Sequence, residues 1–379
     1  MRRAFKYIVF IIYCFQSALT ANYVFAQSEI GDLYLPGYRA SARLHYGTIL
    51  SHRESMTHLI KGRVTGLDFT YGKQTSGIKP WQQVFNYPAM GLGLYHSFLG
   101  NPGQLGTGTA VYGYMFFPLI TKDKFWFRYR WGTGPGYISK PFDRVDNYKN
   151  TAIGSKINLF ANLLFETGFK ISDHLQLTAG LGYSHFSNAA VKTPNLGINM
   201  TTLALGISYN TVDLGRHLAK DTALFLSRKF DFFVYGALGL KEVMPAGGNK
   251  YGVVHFFSEA ARRVGNRRKI GVGPDIFYDD SDFKEYNSDT VNIPAENRPE
   301  FIKMGVHISH ELVLGRLSAI VHIGVYLHNI YKSDGLFYHR FGYRYYITDH
   351  LFIDAGFKTH WAVAKNIEFG VGYNFNKRS

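Results

Sequence analysis

Apolar and polar residues alternate with a period of two along most of the chain, and this pattern constrains the fold more than any other feature. Apolar side chains occupy every second position from Tyr38 to Tyr46, and the same split recurs at 318–328 and 367–375. Successive side chains of a strand point to opposite faces, so each such segment is predicted to be a β-strand with one apolar face. We count about 12 to 14 such segments, of ~10 residues each, between Tyr38 and Phe375.

The composition distinguishes between two all-β architectures. The chain contains 27 Tyr, 31 Phe and 40 Gly, and no apolar run after residue 26 is long enough for a helical membrane span. These features are typical of an antiparallel transmembrane β-barrel, whose apolar face contacts lipid. A periplasmic or secreted β-sandwich would show the same alternation, because one of its faces packs a core and the other meets solvent. The glycine and aromatic content of the strands favours the barrel.

The first 26 residues have the order of a secretory signal peptide. Three basic residues precede an apolar run from Tyr7 to about Ala21, and the segment ends in Val24-Phe25-Ala26. A single membrane anchor is the alternative, but polar residues interrupt the run and it is short for a span. We therefore expect a signal peptide at 1–26 and a barrel at 27–379 in the outer membrane of a Gram-negative bacterium. The only cysteine, Cys14, lies in the predicted signal peptide, which leaves no thiol in the mature chain.

The net charge is strongly positive. It is +15 for the whole chain and +12 once the three basic residues of the predicted signal peptide are removed. Such an excess suits a partner that carries phosphates, and lipopolysaccharide in the outer leaflet is one. Nucleic acid is the other usual partner of a basic chain, but an exported barrel would not ordinarily meet it.

Three long stretches without clear alternation are predicted to be loops or plug-like insertions, at 68–84, 211–228 and 262–298. The last stretch contains a cluster of basic residues, namely Arg262, Arg263, Arg267, Arg268 and Lys269. Such a cluster is usually a solvated loop, and a phosphate-binding role is the alternative.

Two short turns resemble each other, Ile171 to Leu175 and Ile347 to Leu351. Polar turn residues between alternating segments predict tight hairpins, and short turns of such barrels face the periplasm. The strand that starts at Leu175 would then reach the outer rim near His185 and Ser187.

These two polar residues share the odd-numbered, apolar face of that strand, so they are predicted to face lipid near the extracellular rim. His185 and Ser187 could there form a base and nucleophile pair. The returning strand is expected to bring Asn199 and Thr201 beside Ser187 and His185, within a hairpin at 175–210. A His-x-Ser sequence alone is more often part of an interfacial polar girdle than a catalytic pair.

The longer sequence strengthens the catalytic interpretation. It resembles the signature of the lipid A 3-O-deacylase family, outer-membrane barrels that hydrolyse an ester-linked acyl chain of lipopolysaccharide, over roughly residues 180 to 209. The matching strings are His185-Phe186-Ser187-Asn188 and Pro194-Asn195-Leu196-Gly197-Ile198-Asn199. The resemblance implies that Ser187 is the nucleophile and His185 the general base, and that Asn188 and Asn195 help to form an oxyanion hole. The family's barrels are smaller than this chain, so the resemblance leaves a large part of it unexplained.

Asn199 stands where the family has the glutamate of its catalytic triad. An amide oxygen can orient the imidazole by accepting its hydrogen bond, but it cannot stabilise an imidazolium by charge. We therefore predict a His185–Ser187 dyad oriented by Asn199, with weaker activation of the base. An inactive descendant of the family is the alternative.

No metal or nucleotide cofactor is predicted. His307 and His310 lie three residues apart on a strand, hence on opposite faces, and the chain contains no HExxH, P-loop, Rossmann or EF-hand motif. The sequence thus predicts an outer-membrane serine esterase acting on lipid A. A phospholipid esterase and a non-enzymatic barrel, either a channel or a structural protein, are the alternatives, and no oligomeric state is predicted.

Overall fold

The computed structural model describes residues 37–122, 124–211, 230–288, 301–361 and 363–376. The predicted signal peptide at 1–26 lies outside these ranges, as does nearly all of the predicted loop at 211–228. The described residues are mostly β-strand, so the predicted fold class is confirmed. None of the helices in these ranges is long and apolar enough to cross a membrane.

The strands close into two antiparallel barrels of eight strands each. The first barrel consists of β1 Tyr38–Ile49, β2 Val64–Gln74, β3 Ala89–Phe98, β4 Thr107–Thr121, β5 Phe125–Ile138, β6 Ile157–Lys170, β7 Leu175–Ser187 and β8 Ile198–Asn210. The second consists of β9 Phe230–Glu242, β10 Lys250–Arg263, β11 Arg268–Asp279, β12 Ile302–Leu314, β13 Leu317–His328, β14 Phe337–Tyr346, β15 Leu351–His360 and β16 Val363–Asn374. Two short helices, α1 Pro80–Val84 and α2 Asp280–Asn287, and 3₁₀ turns at Glu54–Leu59 and Lys332–Asp334 lie between strands.

The prediction of one barrel with 12 to 14 strands was therefore wrong in number, although right in kind. In each barrel the first and last strands pair, β1 with β8 and β9 with β16, and this pairing closes the sheet. Eight strands are enough to close a barrel, and side chains then fill its interior. Alternation along a sequence shows how residues face within a strand, but not which distant strands close on each other.

The outward faces of both barrels are apolar and exposed, while the interiors are charged. Leu205 in β8 and Leu238 in β9, for example, are 65% and 69% exposed. In the first barrel, the buried Arg130 Nη1 lies 2.7 Å from Asp68 Oδ2, and Arg128 Nη2 lies 2.7 Å from Glu166 Oε2. Glu166 on β6 also pairs with Arg43 on β1, three strands away around the barrel. An apolar exterior around a polar interior is the arrangement of a barrel in a membrane.

Two of the predicted loops contain strands. Residues 68–74 belong to β2, and residues 268–279 form β11. Strand β11 alternates regularly, with Ile270, Val272 and Ile276 exposed and Lys269 and Asp275 buried, so the prediction of a loop there was wrong. Lys269 is buried against Asp231, because the interior of this barrel takes up charge as ion pairs. The basic cluster at 262–269 is accordingly divided between two strands and is not one solvated loop.

The two similar turns form equivalent corners of the two barrels. They join β6 to β7 and β14 to β15, as predicted for tight hairpins. His174 Nδ1 lies 2.8 Å from the carbonyl oxygen of Asn210, and His350 Nδ1 lies 2.8 Å from that of Asn374. Each histidine ring also stacks on a tyrosine of the last strand, Tyr209 or Tyr373. The two barrels thus repeat one structural unit.

Candidate active site

His185 and Ser187 lie at the end of β7 that is farthest from the turn at 171–175. They share their face of the strand with Leu177 and Leu181, which are exposed, while the neighbouring Ser184 and Phe186 point into the barrel and are buried. The predicted parity of the two residues is therefore confirmed. Ser187 is only 8% exposed, so most of this residue is covered by neighbouring residues.

Asn199 pairs with His185 across the β7–β8 hairpin. The register places Asn199 opposite His185 and Thr201 opposite Tyr183. The register is shifted by two residues from the expected arrangement, in which Asn199 faced Ser187 and Thr201 faced His185. The difference brings Asn199 closer to the base: its Oδ1 lies 2.6 Å from His185 Nδ1.

The hydrogen bond to Asn199 defines which nitrogen of His185 can act as a base. An amide oxygen only accepts hydrogen bonds, so His185 Nδ1 carries the hydrogen and Nε2 of the neutral ring keeps its lone pair. The hydroxyl of Tyr183 donates a second hydrogen bond to Asn199 Oδ1, at 2.8 Å.

His52, from the connection between β1 and β2, completes the environment of Asn199. Asn199 Nδ2 lies 3.0 Å from His52 Nδ1, and the amide nitrogen can only donate, so His52 Nδ1 accepts. Burial lowers the pKa of His52 below its usual value, which favours the neutral ring that this bond requires. Sequence reasoning missed His52, because 147 residues separate it from Asn199 and no local motif surrounds it.

The hydroxyl of Ser187 contacts Asn195 of the β7–β8 connection. Asn195 Nδ2 lies 3.1 Å from Ser187 Oγ, and Asn195 Oδ1 accepts from the backbone N–H of Asn188 at 3.0 Å. The side chain of Asn188 is directed elsewhere and donates to Ser155 Oγ at 2.8 Å. The structure thus places the Asn195 amide beside Ser187 Oγ, while the Asn188 backbone N–H donates to the other end of that amide.

Gly197 fits closely against the imidazole. Its φ is +81°, in the left-handed region that favours glycine, and its N–H donates to the carbonyl oxygen of Ala152 at 2.8 Å. A Cβ atom at this position would lie 2.7 Å from His185 Cε1. Gly197, which lies in the string that resembles the family signature, therefore allows the backbone to approach the ring of the predicted base.

The second barrel carries different residues at the positions equivalent to the site. When the two similar turns are aligned, His185 corresponds to Trp361 and Ser187 to Val363. Neither can supply a base or a nucleophile. The predicted chemistry is consequently confined to the first barrel.

Antiparallel barrels with an exposed apolar exterior and a charged interior define the class of outer-membrane β-barrel proteins. Two family models locate the chain within this class. Residues 65–208 match the lipid A 3-O-deacylase (PagL) model, and residues 228–377 match the model of the acyloxyacyl hydrolase C-terminal domain. Together they span more than three quarters of the chain, one match for each barrel. The chain belongs to this family of lipid A hydrolases, and the second match accounts for the part that the family's smaller barrels left unexplained.

Comparison with solved structures finds other outer-membrane barrels at low identity. Neisserial surface protein A is 10% identical, with a TM-score of 0.30, and the match covers 46% of this chain and 96% of that one. Acinetobacter baumannii outer membrane protein Omp33 is 9% identical, with a TM-score of 0.18 and coverage of 89% and 99%. Comparison with curated protein sequences gives no match.

Proposed function

We propose that this protein is a serine esterase of the Gram-negative outer membrane that removes an ester-linked acyl chain from lipid A. The observation that carries the proposal is the hydrogen bond of 2.6 Å between His185 Nδ1 and Asn199 Oδ1. It holds the imidazole in the tautomer whose Nε2 can accept a proton, on the strand face that also presents Ser187.

The residues divide the reaction between them. His185 Nε2 takes the proton of Ser187 as Oγ attacks the ester carbonyl carbon, and the carbonyl oxygen becomes an oxyanion. The Asn195 amide nitrogen donates to that oxyanion, and the Asn188 backbone N–H becomes a second donor when it releases Asn195 Oδ1. The C–O bond to the sugar hydroxyl then breaks, and His185 returns the proton to this leaving oxygen. Water then attacks the acyl-serine as His185 takes its proton, the bond between the acyl carbon and Ser187 Oγ breaks, and His185 returns the proton to Oγ as the fatty acid is released.

Asn199 changes the energetics of the first step. A carboxylate in its place would stabilise the imidazolium that forms during attack, whereas the amide only orients the ring. Tyr183 and His52 fix the amide from both ends, so the orientation is well defined even without the charge. We expect a slower deacylase than one with a complete triad.

The position of the site suits a substrate in the outer leaflet. Short turns of such barrels face the periplasm, and the site lies at the opposite end of β7 from the turn at 171–175. Exposed leucines, including Leu177 and Leu181, follow it down the same outward face. An acyl chain of lipid A could lie along this apolar surface while its ester bond reaches Ser187. A phospholipid ester would meet the same surface, and the choice of lipid in the assay distinguishes the two.

A covalent probe tests the nucleophile directly. The purified, folded protein is treated with a long-chain alkyl fluorophosphonate, and the modified residue is mapped by mass spectrometry. The proposal expects modification at Ser187, no modification in Ser187→Ala, and normal modification in Ser172→Ala, which changes an exposed serine of the turn. Labelling that is equal in Ser187→Ala and wild type would overturn the assignment of the nucleophile.

A further inference from the structure

The interior of the second barrel contains a histidine and carboxylate cluster that the proposed reaction does not use. It consists of Glu259 on β10, His307 on β12 and His322 on β13, all of them buried. Glu259 Oε2 lies 3.3 Å from His307 Nε2 and 3.7 Å from His322 Nε2. One ligand atom from each residue falls within 4.8 Å of the other two. Three separate strands thus direct metal-ligating atoms to one point.

His322 lacks the hydrogen bonds that a buried imidazole needs. It is 1% exposed, and neither of its ring nitrogens has a hydrogen-bond partner among the described residues. Leaving a buried polar group without a partner is unfavourable, so such groups are rare and require an explanation. A ligand at the cluster would provide one, because His322 Nε2 already faces the Glu259 carboxylate.

The other two members are held by neighbouring groups as metal ligands commonly are. His307 Nδ1 lies 2.6 Å from Asp275 Oδ2, which also accepts from the hydroxyl of Tyr338 at 2.5 Å. With its hydrogen on Nδ1, His307 would direct an unprotonated Nε2 at the cluster. The hydroxyl of Ser309 donates to the second oxygen of Glu259. Carboxylate–histidine pairs of this kind orient the ligands of zinc sites.

The surrounding charges leave Glu259 available. The nearest arginines on β14 have carboxylate partners of their own, Arg340 with Glu368 and Arg344 with Asp354 at 3.1 Å. His255 lies between Asp275 and Glu368, at 2.9 and 3.2 Å. Among the described residues, the ion pairs of Glu259 are therefore with His307 and His322 and not with an arginine.

We propose that Glu259, His307 and His322 bind a divalent ion of the zinc type inside the second barrel. Two imidazole nitrogens and one carboxylate oxygen form a common zinc ligand set, with bonds of about 2.0–2.2 Å, which place tetrahedral ligand atoms roughly 3.3 Å apart. The two histidine rings stack in parallel at 4.2 Å, so coordination by both requires them to tilt towards the ion. Because the site is enclosed, the ion would link β10, β12 and β13 and enter as the barrel folds.

Metal content of the full chain tests this inference. Untagged protein is refolded with Zn²⁺, or with Mg²⁺ as a hard cation that prefers oxygen ligands, and is dialysed before elemental analysis. We expect about one zinc per chain in wild type, retention of it in His310→Asn, and its loss in His322→Ala and Glu259→Gln. His310 is a matched control because it lies on the opposite face of β12 from His307.

Folding must be checked in parallel, since a variant that fails to fold would also lose metal. Glu259→Gln keeps an acceptor for Ser309, and the heat-dependent gel mobility of folded barrels reports its folding. Zinc should also raise the urea midpoint for unfolding of wild type and leave that of His322→Ala unchanged. Wild type without zinc, or folded His322→Ala with the wild-type zinc content, would overturn the proposal and leave His307 as a protonated partner of the two carboxylates.

Discussion

His185 and Asn199 face each other across the β7–β8 hairpin, with Nδ1 of the imidazole 2.6 Å from the amide oxygen. Fourteen residues separate them along the chain, and the antiparallel register brings them together. The resemblance to the family implies a glutamate at this position. The amide of Asn199 can orient the imidazole as that glutamate would, but it cannot stabilise the imidazolium by charge.

Replacing Asn199 by Ala should lower the rate of ester hydrolysis. The imidazole loses the acceptor that selects its tautomer, and the contribution of a positioned general base is about 10²- to 10⁴-fold. We expect a loss in kcat at the lower end of this range, because the amide supplies no charge, with little change in KM. Thr201→Ala, the next outward residue of β8, is the control and should keep its activity. Equal rates for Asn199→Ala and wild type would show that the base does not depend on this contact.

His52 should determine part of the activity loss at acidic pH. Burial lowers its pKa from the ordinary value of about 6.5, so the folded protein holds the ring neutral while the unfolded chain protonates first. As the pH falls through the ordinary range, the folded state is destabilised relative to the unfolded one, and protonation of Nδ1 would break the bond from Asn199.

The matched variants are His52→Gln, which keeps an acceptor that does not titrate, and His52→Ala, which removes it. His52→Gln should retain activity at neutral pH and lose it less steeply than wild type on acidification. His52→Ala should be slower at every pH. Superimposable pH–rate profiles for wild type and His52→Gln would contradict a role for His52 in holding Asn199.

Gly197→Ala should impair the site through its geometry. A methyl group would meet His185 Cε1 at 2.7 Å in a backbone with φ of +81°, so the ring or the loop must move. We expect a lower kcat with a folded barrel, measured as ester turnover beside gel mobility. Gly335→Ala also has a positive φ, of +79°, but meets nothing within 4 Å, and should leave turnover unchanged. If both variants behave alike, the close approach to His185 has no functional role.

Much of the site could be predicted from the sequence, because it depends on local order. The parity of His185 and Ser187 followed from alternation along one strand, and the string from 185 to 199 carried the resemblance. The number of barrels could not be predicted, since β1 closes on β8 through pairs that lie 151 to 171 residues apart in the chain, such as Ser41 with Ser208. His52 was missed for the same reason. Strand β11 was missed because the basic cluster at its start was interpreted as a solvated loop, whereas Arg263 and Lys269 are buried inside the barrel.

The charged interior of the first barrel should be essential for its stability. Glu166→Gln leaves Arg43 and Arg128 buried without their common carboxylate, and breaking a buried ion pair costs about 3–5 kcal/mol. Urea unfolding in lipid vesicles measures the change in the free energy of unfolding. Lys61→Ala, at an exposed loop position, should shift it by less than about 0.5 kcal/mol. A Glu166→Gln variant as stable as wild type would mean that the interior tolerates unpaired arginines.

Mass spectrometry of lipid A from cells expressing wild type, Ser187→Ala and Asn199→Glu tests the central claim most directly. The account predicts that wild type removes one acyl chain. Ser187→Ala should leave lipid A fully acylated, because the second barrel has no nucleophile at the equivalent position. Asn199→Glu should deacylate a larger fraction of the lipid A, because it supplies the missing acid. Identical, fully acylated lipid A from all three strains, with each protein folded in the outer membrane, would contradict it and favour a non-enzymatic barrel or a different ester as substrate.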